Sequence, residues 1–503
     1  MSAIRVRAST CIVAALAAAC TAGGGDARRA GPSEPLNVAI GTFYPKAALA
    51  DGAKGLASLF TSEPLVAAGW DGRPVYKLAD TVVESEDRRQ LTVTLRKGVR
   101  FHTGQPVTAP VVRLLLLEKL RAAPEIADIA AIDDRHLVIS LHKPSTVKAE
   151  DLSTLIVDSN QDDRIGLRTG PFKFTSLDPL VLEPFNEYYQ GKSAVQRVEI
   201  RRYDTHRASW TGMMRHEVNF LHEVSRDAIE FAEAGGDIRA YPLLRPYYTA
   251  LVFSMRHPVL RRPEVRVAIN EAIDRHELVT NGMRGNGQIA EGPFWPYHWA
   301  YPQGRFPVTL NPEAAKLRLD GIGLKVRTGA LQQMPARFSF TCVIRAGDVR
   351  FERIALLVQR QLFAVGIDMK IEPVSGADLP TRLVTGNFEA FLFELVSGRT
   401  LQMAYRFWHS PPPQVTQFSR TDYSGADAAL ERLQAAHTDE EVRQALSDVM
   451  NVMRSDPPAA FLVWPREARA ADASMDVPYE TDRDIFGTLW QMKRAATPLV
   501  ARQ

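Results

Sequence analysis

From Pro35 onward the chain alternates short strand-like stretches with amphipathic helical ones, and no segment recurs with a fixed period. This interleaving specifies an α/β or α+β architecture and excludes a repeat array. At 503 residues the chain must also divide, because single cores stop growing near about 250–300 residues. At least two lobes are expected. Hydrophobic residues make up 45% and charged residues 24%, with 32 Gly and 32 Pro scattered along the sequence, so a disordered or collagen-like chain is excluded. Arg5 and Arg7 are the only charges before position 20, so the formal net charge of +3, less 2, leaves +1 for a chain starting at Cys20. A nucleic-acid partner calls for a concentrated basic excess that is absent.

The first twenty residues address the compartment. Met1 to Arg7 is short and basic, Cys11 to Ala19 is small and apolar, and Leu16-Ala17-Ala18-Ala19-Cys20 sets small residues before a cysteine. The pattern reads as a bacterial lipoprotein signal over residues 1–19, with Cys20 lipidated and residues 20–34 (CTAGGGDARRAGPSE) a flexible tether. The alternative is an ordinary secretory signal with a chance cysteine. Several acyl chains hold a membrane far better than one, and would place the protein on the periplasmic or extracytoplasmic face of the envelope. The apolar stretch is too short to span a bilayer, and no later run approaches the ~20 residues required. With Cys11 and Cys20 so used, Cys342 stands alone, no intramolecular disulfide is available, and Cys342 reads as a small buried hydrophobe.

Several elements are legible. Leu91-Thr92-Val93-Thr94-Leu95 and Leu137-Val138-Ile139-Ser140-Leu141 alternate as half-buried strands, and Tyr248 to Phe253 forms another. Pro263 opens a helix whose Val265, Ala268, Ile269, Ala272 and Ile273 make one buried stripe. Arg350 to Val365 repeats that logic, Gly366 ends it, and a strand follows at Asp368 to Ile371. Residues 426–436 and 439–453 pair as helices before a strand at 460–464.

Enzyme signatures are missing: there is no Gly-x-Ser-x-Gly elbow, Walker loop, Cys-x-x-Cys pair or His-Glu-x-x-His. His216 and His222 stand six apart, which does not stack them on one helix face as metal ligands. No enzyme activity, metal site or cofactor is expected.

The positive signal is a set of ordered landmarks. Phe60-Thr61-Ser62-Glu63-Pro64-Leu65-Val66, Lys77-Leu78-Ala79-Asp80, and Leu95-Arg96-Lys97-Gly98-Val99-Arg100-Phe101-His102-Thr103-Gly104 lead the series. Thr169-Gly170-Pro171-Phe172, Tyr188-Tyr189-Gln190-Gly191, His216-Glu217-Val218-Asn219, and Val265-Arg266-Val267-Ala268-Ile269-Asn270-Glu271-Ala272-Ile273-Asp274-Arg275 follow. In that order they resemble the family 5 extracellular solute-binding proteins, the dipeptide-, oligopeptide- and nickel-binding components of ABC importers.

The resemblance implies a two-lobed periplasmic-binding-protein-like α/β fold (class II, cluster C type) with an extra subdomain in lobe one. Lobe one would hold 35–253 and 461–503, the inserted subdomain about 72–185, and lobe two 256–458. His102 would then be a packed or capping residue. The implied activity is capture of a peptide-like or other small organic solute by a monomer that delivers it to ABC permease subunits. A sensor or an envelope chaperone of the same fold is the alternative. Peptide-binding members pair the free amine with an Asp in a stretch resembling Trp-x-x-Asp-Tyr-x-Asp-Pro. Here the corresponding stretch is Phe391-Leu392-Phe393-Glu394-Leu395-Val396-Ser397-Gly398-Arg399-Thr400, without that acid. Free-amine recognition is therefore expected to be weak unless Glu394 substitutes, and Arg399 could hold a carboxylate or phosphate or stand exposed in a loop. The ligand-binding candidates are Tyr44, Trp70, Tyr248, Phe253, Trp295, Glu394, Arg399 and Tyr405, the aromatic ones offering large apolar contact with a polar handle.

Overall fold

The computed structural model describes residues 35–43, 49–120, 125–144, 148–153, 166–224, 229–230, 236–326, 336–410 and 418–495. Residues 36–503 form one compact unit. In chain order the strands that matter here are β1 (Leu36–Phe43), β2 (Val66–Ala68), β3 (Pro74–Tyr76), β4 (Ala79–Glu84), β5 (Gln90–Leu95), β6 (Ile126–Ala131) and β7 (His136–Leu141). They are followed by β8 (Phe172–Leu177), β9 (Leu180–Pro184), β10 (Val195–Tyr203), β11 (Phe220–Leu221), β12 (Ile238–Leu244) and β13 (Tyr247–Phe253). The last are β14 (Gly287–Ile289), β15 (Phe338–Arg345), β16 (Ile367–Val374), β17 (Ala390–Val396) and β18 (Ala459–Asp472).

One sheet runs in the order β16-β15-β17-β13-β18-β11-β1-β10-β9-β8, with β12 and β14 also on β18. The 14-residue β18 lies in the middle of this sheet and joins its two halves. Its first half pairs with β13 from Ala459 to Val463, and its second half pairs with β12 from Arg466 to Asp472 and with β11 at Ala470 and Ala471. Burial follows the pleat. On β13, Tyr248, Ala250 and Val252 face a core with Trp295, Phe391 and Trp464, while Leu251 and Phe253 face a second core with Ile269, Ile354 and Leu362. A strand covered on both faces carries an unbroken apolar run, and Ala250 to Phe253 is such a run. In lobe one, Leu36, Val38 and Ile40 pack with Phe60, Phe172, Val198 and Phe486.

β4, β5, β7 and β6 make a separate antiparallel sheet with its own core of Leu91, Val93, Leu95, Phe101, Leu137 and Ile139. β8 and β9 lie outside it, hydrogen-bonded beside β10 in the large sheet. The expected inserted unit of 72–185 therefore differs at its end, because a strand belongs to the sheet that satisfies its backbone groups. β13 ends at Phe253, the expected limit of lobe one, yet its partners are β17 and the first half of β18. Local order matches expectation more closely. The helix Val349–Ala364 buries Phe351, Ile354, Ala355, Val358 and Leu362 on one face, and Asp348 caps its first turn. Cys342 is fully buried in β15, and burial raises its thiol pKa. His102 packs against Phe185 with Nε2 2.9 Å from the Gly170 carbonyl, and burial lowers its pKa to about 4.

Candidate functional site

Only Arg245 and Pro246 separate β12 from β13, so this short linker is one of the chain's crossings between lobes. The Pro246 carbonyl accepts the N–H groups of Ser397 and Gly398 at 2.9 and 3.2 Å, and Ser397 Oγ donates to the Pro293 carbonyl at 2.9 Å. The loop after β17 is thereby fixed to the crossing on one side and to the 293–299 loop on the other. Gly398 turns that loop at φ +66°, a backbone state that residues with a Cβ rarely adopt. Arg399 follows it.

Arg399 stands among aromatic rings from the 69–73 and 293–299 loops. Its guanidinium carbon lies 5.2 Å from the Trp70 ring centroid and 5.9 Å from that of Trp295. Trp70 meets Trp295 edge to face at 5.0 Å and Tyr297 at 5.0 Å, and Trp295 Nε1 donates to the Trp70 carbonyl at 2.6 Å. Arg483, from the C-terminal part of lobe one, approaches the Trp70 ring at 5.6 Å. The rest of the 69–73 loop closes on lobe two. Trp299 N–H donates to the Asp71 carbonyl at 2.9 Å, and Arg73 stacks 3.6 Å over Trp299 and pairs with Asp439.

A charged strip extends from this box toward the crossing strands. Glu394 on β17 is 3.0 Å from Arg350, Arg245 is 2.7 Å from Glu467, Arg466 is 2.8 Å from Asp482, and Arg469 is 2.7 Å from Asp484. Burial raises the Glu394 pKa, against the opposing charges of Arg350 and Arg245. Glu223 follows β11 and is exposed to solvent, yet desolvation and then the charge of Glu467 raise its pKa. Beside it, burial lowers the His222 pKa to about 3, with Arg469 adding to the shift. Burial also lowers the Arg399 pKa, opposed by Asp484 and assisted by Arg483.

Of the sequence candidates, the structure brings together Trp70, Trp295 and Arg399. Glu394 lies at the crossing but is occupied by Arg350, so it is not a free substitute for the missing acid. Tyr248 and Phe253 are corrections. They are 1% and 0% exposed inside the two cores of lobe two, and the Tyr248 hydroxyl is bonded by Trp408 Nε1 at 3.1 Å, so neither presents surface to a solute. Tyr405 stacks on His409 and lines a small recess of about 40 Å³ with Lys148, Asp151, His298 and Trp299. Tyr44 and Cys20 lie outside the described residues. Sequence reasoning missed Tyr297, Arg350 and Arg483, and weighed His222 only as a metal ligand while passing over Glu223. The one signal for Glu223 was its place just after the short apolar pair Phe220-Leu221, where a strand's carboxyl end can border a cleft. A cavity of about 790 Å³ lies elsewhere, among Val267, Arg275, Phe306, Met450 and Phe461. It holds none of the residues that meet across the lobes, and the contacts between lobes locate the candidate site better than cavity size does.

A sequence model of the bacterial extracellular solute-binding proteins, family 5 Middle, matches residues 73–429. The oligopeptide-binding protein AppA of Bacillus subtilis (strain 168) is 23% identical over 452 residues, covering 81% of this chain and 82% of its own. Its solved structure in complex with a nonapeptide superposes with a TM-score of 0.72 at 19% identity, covering 92% of this chain and all of that one. The nickel-binding periplasmic protein of Escherichia coli (strain K12) is 24% identical over 361 residues, covering 65% of this chain and 68% of its own.

Proposed function

We propose that this chain, which belongs to family 5 of the bacterial extracellular solute-binding proteins, closes its two lobes over a small organic solute and delivers it to the permease subunits of an ABC importer. The observation that carries the reading is the box in which Trp70 of the first lobe meets Trp295 and Arg399 of the second. Aromatic walls with a few polar groups, enclosed between two bodies that can part, suit capture and release of a small molecule. Kinship with oligopeptide-binding AppA supports a peptide-like solute. The occupied Glu394 argues against one held by a free amine at that position. The nickel-binding relative offers less guidance, since among the described residues no group of three or more His, Cys, Asp or Glu is placed to hold a metal ion. The same crossing supports a hinge at residues 244–247 and 463–466, between the two halves of β18.

The chain from Thr21 onward, purified and examined by native mass spectrometry, should release a small molecule on denaturation. A protein that flies bare, and stays bare after incubation with peptide and metabolite pools, would sink the reading. Lipidation at Cys20 belongs to the same proposal. Among the described residues no helix is long and apolar enough to cross a membrane. In a bacterial host the full chain should therefore sediment with membranes, and Cys20→Ser should move it to the soluble fraction. A variant that still sediments would remove the lipid anchor.

A further inference from the structure

We infer that the solute carries an oxyanion, a carboxylate or a phosphate, and that Arg399 receives it; this rests on the reading of the box between the lobes as the solute site. Four cations in this part of the molecule, Arg469 buried and the others partly so, each have an acid: Arg350 has Glu394, Arg245 has Glu467, Arg466 has Asp482 and Arg469 has Asp484. Each of these four acids is thus engaged. Arg399 has no ion pair among the described residues, and its Nε is shut off from water with no hydrogen-bond acceptor. Glu394 Oε2 and Arg466 Nε also lack a well-aligned hydrogen bond, but each has a charged partner within 3.0 Å. Asp484 acts on Arg399 only through its field, since both of its oxygens hold Arg469, at 3.2 and 2.7 Å.

The rings of Trp70 and Trp295 offset part of the charge, but a ring face does not satisfy the N–H groups in the plane of the guanidinium. The edge carrying Nε is the one that takes two oxygens side by side, the geometry of a carboxylate or phosphate. An ammonium would meet a like charge at this place, whereas an oxyanion supplies both the acceptor atoms and a counter-ion. The mount is rigid as well. Arg399 follows a glycine turn tied to Pro246 and Pro293, so the guanidinium is held in position before a solute arrives. Its own carbonyl sits against Gly72 of the opposite lobe, which links occupancy of the box to closure.

The test uses the full chain and three probes of one shape, benzoate, phenyl phosphate and benzamide, at constant ionic strength, read by tryptophan fluorescence and thermal shift. Benzoate or phenyl phosphate should give a saturable response, with benzamide about tenfold weaker or worse, and the stronger of the two anions names the group. Arg399→Met should weaken the anion about ten- to hundredfold, and Arg399→Lys should restore only part, because one ammonium cannot reproduce the fork. Circular dichroism checks the fold of both variants, and the comparison of acid with amide in the unaltered protein needs no variant. The inference is overturned if neither anion saturates, if benzamide binds as well as benzoate, or if Arg399→Met retains anion affinity. A neutral solute captured equally by the unaltered protein and Arg399→Met, detected by native mass spectrometry, overturns the inference and leaves solute binding standing. Capture of nothing from any pool removes both.

Discussion

Single residues in this protein are set by whether a buried group finds a partner. His298 is 4% exposed, and its Nδ1 accepts the Ala300 N–H at 3.2 Å, a bond that requires the neutral ring. Burial, and then the charge of Arg73, lowers its pKa to about 4, with Asp71 opposing and Lys148 assisting. The folded pKa lies below the unfolded value near 6.5, so between those limits the unfolded chain binds more protons and stability falls as acid is added. The loss runs at about 1.4 kcal/mol per pH unit and reaches at most about 3.4 kcal/mol. His298→Asn keeps an acceptor without a titrating ring. Urea unfolding at pH 7, 5.5 and 4 should show the gap in stability between the two proteins changing in favour of the variant as pH falls. Asp151 titrates in the same window in the opposite sense, since burial and then Glu150 raise its pKa to about 6, but it is common to both proteins. A constant gap across the three pH values would show that His298 is not held neutral by the fold.

At the scale of elements, the turn between β17 and Arg399 does more than connect. Gly398 sits at φ +66°, and a Cβ there would approach Met403 Cγ at 3.2 Å. Gly398→Val should cost about 1–2 kcal/mol in backbone strain. Because the turn aims Arg399, solute affinity should fall about tenfold as well, beyond what lost stability explains. Calorimetric titration of the folded variant with the solute identified by mass spectrometry decides this. Unchanged affinity would show that Arg399 is positioned by its packing on Trp70 and Trp295 rather than by the turn. The long β18 illustrates the same principle on a larger element. A 14-residue strand whose halves satisfy different partners makes the lobes share one hydrogen-bonded sheet while allowing the cores on either side to remain separate.

For the whole molecule, contact between the lobes is a matter of close packing more than of ion pairs. Arg73 and Asp439 are about half exposed, and such a pair is worth roughly 0–1 kcal/mol. Gly72 carries more of the consequence. At φ +81° it lies so near lobe two that a Cβ would stand 2.6 Å from the Arg399 carbonyl and closer still to the His298 ring. Gly72→Val should therefore fold but hold the lobes apart, because parting them relieves the clash. Small-angle scattering in the presence of solute should show a larger radius of gyration than the unaltered protein, with weakened binding. A variant as compact as the parent would show that the 69–73 loop yields instead.

The sequence by itself determined what depends on local periodicity and on the order of landmarks. The helix at 349–364 declared itself because Ile354, Leu357, Val358 and Leu362 recur on one face, and the family was legible from motifs spread along nearly the whole chain. Trp70 and Arg399 were legible as candidates from their residue types and their place in that family's pattern. What the tertiary structure decided is which candidates face one another. Tyr248 and Phe253 failed because β13 is covered on both faces, and alternation along a strand does not say whether its second face meets water or another core. Trp70 and Arg399 stand 329 positions apart, and Glu394 looks free until Arg350 arrives from a separate helix. Whether a buried charge is spent or waiting depends on every chain segment that reaches it, and no stretch of sequence contains them all.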